Sequence, residues 1–197
     1  MLLWREFLGM IDFFAVFGLE PRPVIDVAVL SDLFASKSKT AHPDRAADGD
    51  FATLNEAFRT LSDPTSRIRH LLALSGEEPK LTVASAEVSA WFGPVANGLQ
   101  RFDPILQALS QETSTLLRAI KIRESQSVLA DLDKLSEGLT GQKEGLLQAV
   151  ARIDATWSGA GETDRDSLAQ IACDLRFVEK WLAQIAERRL RLACITD

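Results

Sequence analysis

The chain has 197 residues, of which 46% are hydrophobic and 25% charged, the composition of an ordinary globular protein. Its length suits one medium domain or two small ones. A net charge of −6 and a pI of about 5.0 exclude the broadly basic footprint that nucleic acids and anionic membranes require.

Neither terminal region suggests a membrane, a secreted protein or a metal site. Charged residues interrupt the apolar run MLLWREFLGMIDFF, which also lacks a small-residue cleavage site, so we expect an unprocessed, cytoplasmic protein. The only cysteines, Cys173 and Cys194, stand far apart and form no CxxC pair, which predicts reduced thiols and no zinc site.

Short helices are predicted in the first half of the chain. Asp12 is placed to cap a helix over Phe13–Phe17, which Gly18 ends. A second helix is predicted over Asp26–Ala41, because Pro43 disfavours helical geometry in the residue before it. Helical spacing assigns to its apolar face Val27, Leu30, Phe34 and Ala41.

Two more helices follow before a linker. The third is predicted over Phe51–Leu61. A fourth helix is predicted to start at Asp63-Pro64, with Asp63 as the N-cap and Pro64 at the first helical position. We expect His70 on that fourth helix to be a surface or half-buried packing residue. The stretch Glu77–Ser85 is predicted to be a linker. The apolar face of the third helix comprises Phe51, Leu54, Phe58 and Leu61, and that of the fourth Ile68, Leu71 and Leu72.

The second half is predicted to be helical as well. A long helix should open at Asp103-Pro104, continue toward Leu135 and be broken by Gly138 and Gly141. Its inward residues are expected to be Ile105, Leu109, Leu116 and Ile120, followed by a further stripe of Leu146, Val150, Ile153 and Trp157. Alternating steps of three and four predict a bundle-forming last helix with Leu168, Ile171, Leu175, Val178, Leu182 and Ile185 inward.

One tripeptide, His42-Pro43-Asp44, stands between the second and third predicted helices. Pro43 stiffens such a loop, and the Asp44 carboxylate is a bidentate acceptor for a partner's arginine. Taken alone, the tripeptide also suits a loop that merely ends one helix and caps the next. A catalytic role is disfavoured because no nucleophile accompanies the pair. Lys37, Lys39 and Arg45 flank the tripeptide and form a small basic edge, which suits an acidic partner surface. The predicted partner-binding residues are Lys37, Lys39, His42, Pro43, Asp44 and Arg45.

The context of the tripeptide resembles the J-domain co-chaperones of the HscB family. The matching segments are IDFFAVFGLEP (Ile11–Pro21), LNEAFRTLSDPTSRIRHLL (Leu54–Leu72) and DLRFVEKWLAQIAERRL (Asp174–Leu190). The resemblance implies an all-α protein with a J-domain over 1–76, a linker over 77–86 and a C-terminal three-helix bundle over 87–197. The J-domain would contain an antiparallel helical hairpin with short flanking helices.

The same resemblance implies a protein that is no enzyme and carries no cofactor or metal. Its expected activity is to bind an Hsp70 of the DnaK or HscA type and to stimulate ATP hydrolysis there. Its expected client is an iron–sulfur cluster scaffold protein, held by an apolar patch on the bundle. No nucleic acid or membrane is expected as a partner.

The client patch is predicted from one family match and from aromatic spacing. Phe177 matches an aromatic residue of the family's patch, and Trp181 follows it by one helical turn. The family's Leu/Met-rich segment is replaced here by Glu87–Gln100, in which Gly93-Pro94 is expected to break a helix. The alternative is that Phe177 and Trp181 are buried and simply widen the apolar stripe of the last helix. The candidate client-binding residues are Trp91, Phe92, Val95, Phe177 and Trp181.

Two other functions stay open at this point. The altered segment suits a J-domain protein with a different client. The acidic charge, together with Ala41 where the family has an aromatic residue, suits a helical interaction module whose J-domain is vestigial.

Overall fold

The structure, a computed structural model, describes residues 11–40, 48–76, 83–158 and 161–196. Every regular element in these ranges is an α-helix, which confirms the predicted all-α class. None of these helices is both long and apolar enough to cross a bilayer. In chain order they are α1 Phe13–Phe17, α2 Val27–Thr40, α3 Asp48–Ser62, α4 Pro64–Leu74, α5 Ala86–Ser89, α6 Phe92–Gln111, α7 Thr115–Ala155 and α8 Glu162–Thr196.

The chain forms two compact units. The first takes in the described residues of Met1–Thr82 together with Gln148–Ala172, so it contains the end of α7 and the start of α8. The second consists of the described residues of Val83–Leu147 and Cys173–Asp197.

The predicted caps of the first unit are confirmed. The Asp12 carboxylate accepts hydrogen bonds from the backbone N–H groups of Phe14 and Ala15, and Gly18 ends α1 with a φ of 69°. The Asp63 carboxylate accepts from the N–H of Ser66 at 2.7 Å and so caps α4. These short-range contacts explain why the sequence alone located both helix starts.

The core of the first unit lies where α1, α2 and α4 pack on α3. Phe34 of α2 stacks on Phe58 of α3 with ring centroids 4.4 Å apart, and Leu30 is fully buried. The buried faces of α2 and α3 are narrower than the sequence predicted. Val27 of α2 and Phe51 of α3, both expected to face inward, are 47% and 44% exposed. The buried residues of α3 and α4 include Leu54, Leu61, Ile68, Leu71 and Leu72.

The end of α7 packs on the connection between α1 and α2, within the first unit. Asp154 accepts hydrogen bonds from the Arg22 guanidinium, at 3.1 Å from Nε, and from the backbone N–H of Val24. The indole N–H of Trp157 donates to the carbonyl of Pro21 at 3.0 Å. These bonds hold the proline-containing connection against the end of α7.

The second unit is built around α6, and its course corrects the expectation at Pro104. The helix does not begin at Asp103-Pro104; it runs from Phe92 to Gln111 with Pro104 inside it. Val95, Phe102, Leu106 and Leu109 are buried on either side of the proline. Burial of these side chains outweighs the lost backbone hydrogen bond, which costs about 3 kcal/mol in a helix interior.

A short turn after α6 accounts for a second correction. Glu112 follows α6, and its carboxylate accepts from Lys121 Nζ at 2.8 Å, which lowers the pKa of Glu112. A new helix, α7, starts at Thr115, so the helical phase of α6 is not continued. Leu116 and Ile120, expected to face inward, are therefore 72% and 56% exposed.

The predicted glycine breaks are wrong as well. α7 continues through Gly138 and Gly141 to Ala155, with Leu132 and Leu139 fully buried along it. Each glycine costs a helix only about 1 kcal/mol relative to alanine, less than burial of a leucine contributes. On α8 the predicted seam is confirmed, since Leu168, Ile171, Leu175, Val178 and Ile185 are buried and Leu182 half-buried.

Candidate functional site

The first candidate surface follows the end of α2. Lys37 and Lys39 lie in the last turn of α2, and both are exposed. Cationic side chains there suit the negative end of the helix dipole. The other predicted residues of this surface, His42, Pro43, Asp44 and Arg45, lie outside the described residues, in the connection between Thr40 and Asp48.

The second candidate surface is an aromatic cluster, defined as Trp91, Phe92, Phe177 and Trp181. The Phe92 ring meets the Phe177 ring edge-on at a centroid distance of 5.2 Å, and the Trp181 ring at 4.8 Å. Edge-to-face pairs of this kind add about 0.5–1.5 kcal/mol beyond area burial. Residues from the start of α6 and the middle of α8, distant in sequence, thus form one apolar surface.

The members of the cluster differ in exposure. Phe92 is 43% exposed, and Trp91 and Phe177 are half-buried. Trp181 is 6% exposed and belongs to the core. Its burial agrees with the alternative in which it widens the buried stripe of α8. Val95, the remaining predicted client-binding residue, is 1% exposed and lies in the hydrophobic core of the second unit, so it offers no surface to a partner.

The Gly93-Pro94 step does not break the helix, contrary to expectation. Both residues lie in the first turn of α6, which begins at Phe92. A proline is tolerated in the first turn because the N–H groups there have no intrahelical acceptor. The step consequently leaves Phe92 at the helix start, where its ring contacts α8.

A buried carboxylate holds the segment that leads into the cluster. Asp174 of α8 is 3% exposed and accepts a hydrogen bond from the backbone N–H of Ser85 at 2.9 Å. The Ser85 hydroxyl in turn accepts from the N–H of Val88 and caps α5. Trp91 and Phe92 follow α5 after one residue, Ala90, so Asp174 ties the α5–α6 junction to the helix that carries Phe177.

The Trp91 ring lies against α7 at Gly138. A β-carbon added at Gly138 would collide with Cη2 of the indole, whereas one at Gly141 or Gly145 would meet no atom within 4 Å. Gly138 therefore provides the space in which the indole lies. It is the one α7 glycine in the described residues with this role.

The charges beside the cluster are mainly positive. The Arg176 guanidinium carbon lies 6.0 Å from the centroid of the Phe177 ring, within cation–π range. Arg176 and Lys180 are both exposed, one helical turn apart on α8. The neighbouring acid, Glu179, forms an ion pair with Lys143 of α7 at 2.9 Å.

Three residues that contribute to this surface, Asp174, Arg176 and Gly138, were not predicted from the sequence. Asp174 and Arg176 belong to the DLRF segment that carried the resemblance, so their nearness to Phe177 in the sequence could have identified them. Gly138 gave no usable signal, because a glycine required by a tertiary contact cannot be distinguished from a helix breaker by its sequence neighbours.

Comparisons with known proteins agree with the motifs. No family model matches the chain. A curated relative, the co-chaperone protein HscB homolog of Shewanella pealeana, is 35% identical over 77 residues, which are 34% of this chain and 44% of the relative's length. The alignment thus spans less than half of the relative.

Among solved structures, chaperone HscB from Vibrio cholerae aligns with a TM-score of 0.58 and 19% identity, covering 92% of this chain and 99% of that one. At this level of identity the likeness establishes the fold. The curated relative confirms the predicted resemblance to HscB proteins over the matched 77 residues, and the solved structure confirms the fold.

Proposed function

We propose that this protein is an Hsp70 co-chaperone of the HscB type that presents an iron–sulfur cluster scaffold protein to its chaperone. In this proposal the J-domain of 1–76 binds Hsp70, 77–86 is a linker and the bundle of 87–197 binds the scaffold. The observation that carries it is the His-Pro-Asp motif, standing between α2 and α3 of a chain with the HscB fold.

The motif would act by recognition and not by chemistry on a substrate. The Asp44 carboxylate is suited to a bidentate hydrogen bond with an Hsp70 arginine, a charged interaction worth about 1.5–3 kcal/mol. The ammonium groups of Lys37 and Lys39 suit an acidic chaperone surface and would speed association. Binding that favours the hydrolysis-competent state of Hsp70 raises its ATPase rate, while this protein is unchanged.

Single-turnover ATP hydrolysis by a matched Hsp70 tests this role directly. We expect stimulation by the wild-type protein and its loss, by about tenfold or more, in Asp44→Asn and in His42→Gln. Asp32→Asn, an exposed change on α2 away from the motif, is the matched control and should stimulate normally. Full stimulation by both motif variants would contradict the proposal.

The aromatic cluster supports the client half of the proposal. It brings Phe177, the residue matched to the family's patch, against Phe92 from the segment that replaces the family's Leu/Met-rich sequence. Exposed aromatic side chains near buried ones are frequent anchors of protein interfaces. Phe92→Ala and Phe177→Ala are expected to weaken binding of an apo scaffold protein without affecting ATPase stimulation.

The same substituted segment favours one alternative, a J-domain protein with a different client. The beginning of α6 has Phe92, Gly93 and Pro94 where a Leu/Met-rich sequence is expected. Normal ATPase stimulation together with no measurable binding of scaffold proteins would favour this alternative.

A further inference from the structure

The rim of the aromatic cluster is cationic on a protein that is acidic overall. Arg176 and Lys180 are exposed on α8 immediately before and three residues after Phe177. The net charge of the chain is −6, so this local sign opposes the global one. A surface charge of that kind influences partner choice and association rate more than it influences folding.

The two acids closest to these cations on α8 have other partners: Asp174 is buried and accepts a hydrogen bond from the N–H of Ser85. Glu179 is engaged by Lys143 at 2.9 Å. The first three turns of α6, Phe92–Phe102, contain no acidic residue, and α5 contributes a single one, Glu87. On α7, Glu137 and Glu144 line a groove that also contains the cation Arg189.

The Arg176 side chain is also oriented toward the aromatic surface. Its guanidinium lies over the Phe177 ring, at 6.0 Å from the centroid, and Phe177 contacts Phe92. A carboxylate that binds this guanidinium would lie beside the aromatic cluster. Such a pair gains strength where an apolar contact excludes water next to it.

We infer that the client segment bound by the aromatic cluster combines apolar side chains with flanking carboxylates, which pair with Arg176 and Lys180. The inference rests on the proposed function, since it specifies the chemistry of the client at the same surface. The apolar part of the segment would pack on Phe92 and Phe177. Its carboxylates would set the register and make association dependent on salt.

The test is charge reversal with a control matched in net charge. Arg176→Glu/Lys180→Glu reverses the rim, and Arg123→Glu/Arg191→Glu reverses two exposed cations elsewhere in the second unit, on α7 and α8. Binding of an apo iron–sulfur scaffold protein to each full-length variant is measured by titration calorimetry at several salt concentrations. Circular dichroism verifies that each variant is folded.

We expect the rim variant to bind about tenfold more weakly than wild type at low salt, with the control within about twofold. Added salt should weaken binding by the wild type but strengthen binding by the rim variant, because salt then screens a repulsion between like charges. Equal weakening in the two double variants would overturn the inference, because only net charge would then matter. Unchanged or tighter binding by the rim variant would overturn it too, the latter pointing to a basic client.

The aromatic variants separate this inference from the proposed function. If Phe92→Ala abolishes scaffold binding while the rim variant binds normally, the inference fails and the proposed function stands. If Phe92→Ala and Phe177→Ala both bind the scaffold as wild type does, the client half of the proposed function fails, and the inference fails with it.

Discussion

Arg67 is a charged residue buried in the core of the first unit. Its side chain is 5% exposed, and its guanidinium donates from Nε to the carbonyl of Pro23 at 2.8 Å and from Nη1 to that of Leu61 at 2.7 Å. Burial lowers the pKa of Arg67 from its usual value, although Asp63 and Asp154 oppose that effect. The guanidinium joins the α1–α2 connection to the end of α3.

Replacing this guanidinium should destabilise the protein strongly. We expect Arg67→Met to reduce the free energy of unfolding by about 2–4 kcal/mol, because two buried carbonyl groups lose their donor. Arg67→Lys should be intermediate, since an ammonium lacks the planar fork. The matched control is Arg69→Met at an exposed position of the same helix. Urea denaturation measures all three, and similar losses for Arg67→Met and Arg69→Met would contradict the assigned role.

His70, expected to be a surface or half-buried residue, is instead buried at 8% exposure. Its Nε2 accepts a hydrogen bond from the backbone N–H of Phe13 at 3.0 Å, and its ring stacks on the Phe13 ring at 4.5 Å. Burial lowers the pKa of His70 below 6.5, an effect that the charge of Asp12 partly offsets. Only the neutral imidazole has a lone pair for the Phe13 N–H.

A pH dependence of stability follows from this lowered pKa. As the pH decreases, His70 takes up a proton near pH 6.5 in the unfolded chain but only at a lower pH in the folded protein. The contribution of His70 to the free energy of unfolding is therefore fully present above pH 6.5 and is lost as the pH falls toward the folded-state pKa. We expect His70→Gln, which keeps an acceptor but does not titrate, to lose less stability between pH 7.5 and about 5.5. Urea midpoints over this range give the comparison. Parallel curves for the two proteins would rule out His70 as the source.

At the scale of elements, α7 shows that glycines in one helix have different roles. Gly138 leaves room for the Trp91 indole, while Gly141 has open space around its α-carbon. The first is required by a neighbouring side chain, and the second only lowers the helical propensity of α7.

The two glycines should therefore respond in opposite ways to the same substitution. Gly141→Ala is expected to raise the free energy of unfolding by about 0.5–1 kcal/mol through helical propensity. Gly138→Ala is expected to lower it by about 1–3 kcal/mol, because its methyl group displaces the indole. Scaffold binding should weaken only in the Gly138 variant. Stabilisation by both substitutions would show that Trp91 moves aside at no cost.

At the scale of the whole molecule, each unit has a cationic edge beside a proposed partner surface. Lys37 and Lys39 provide it in the first unit, and Arg176 and Lys180 in the second. Because the net charge of the chain is −6, these local cationic edges are expected to orient acidic partners during encounter.

Local features of the sequence were sufficient to predict the helical class and several caps. Asp12 and Asp63 bond to backbone groups within three residues, so their roles are encoded by near neighbours. The α8 seam was equally readable, because helical periodicity repeats along a continuous element. Phe177 could be predicted as a residue of the candidate site because it belongs to a family motif. The residues that it contacts, such as Phe92, could not be predicted, because they are distant in sequence.

The sequence by itself determined the all-α class, the cap positions and the location of the His-Pro-Asp motif. The tertiary structure decided that α6 continues past Pro104, that α7 continues past Gly138, and that Trp181 is buried while Phe92 is partly exposed. The reason is that caps and periodicity depend on bonds within one or two helical turns. Whether a helix tolerates a poor residue, or a side chain meets water, depends on burial against segments distant in sequence.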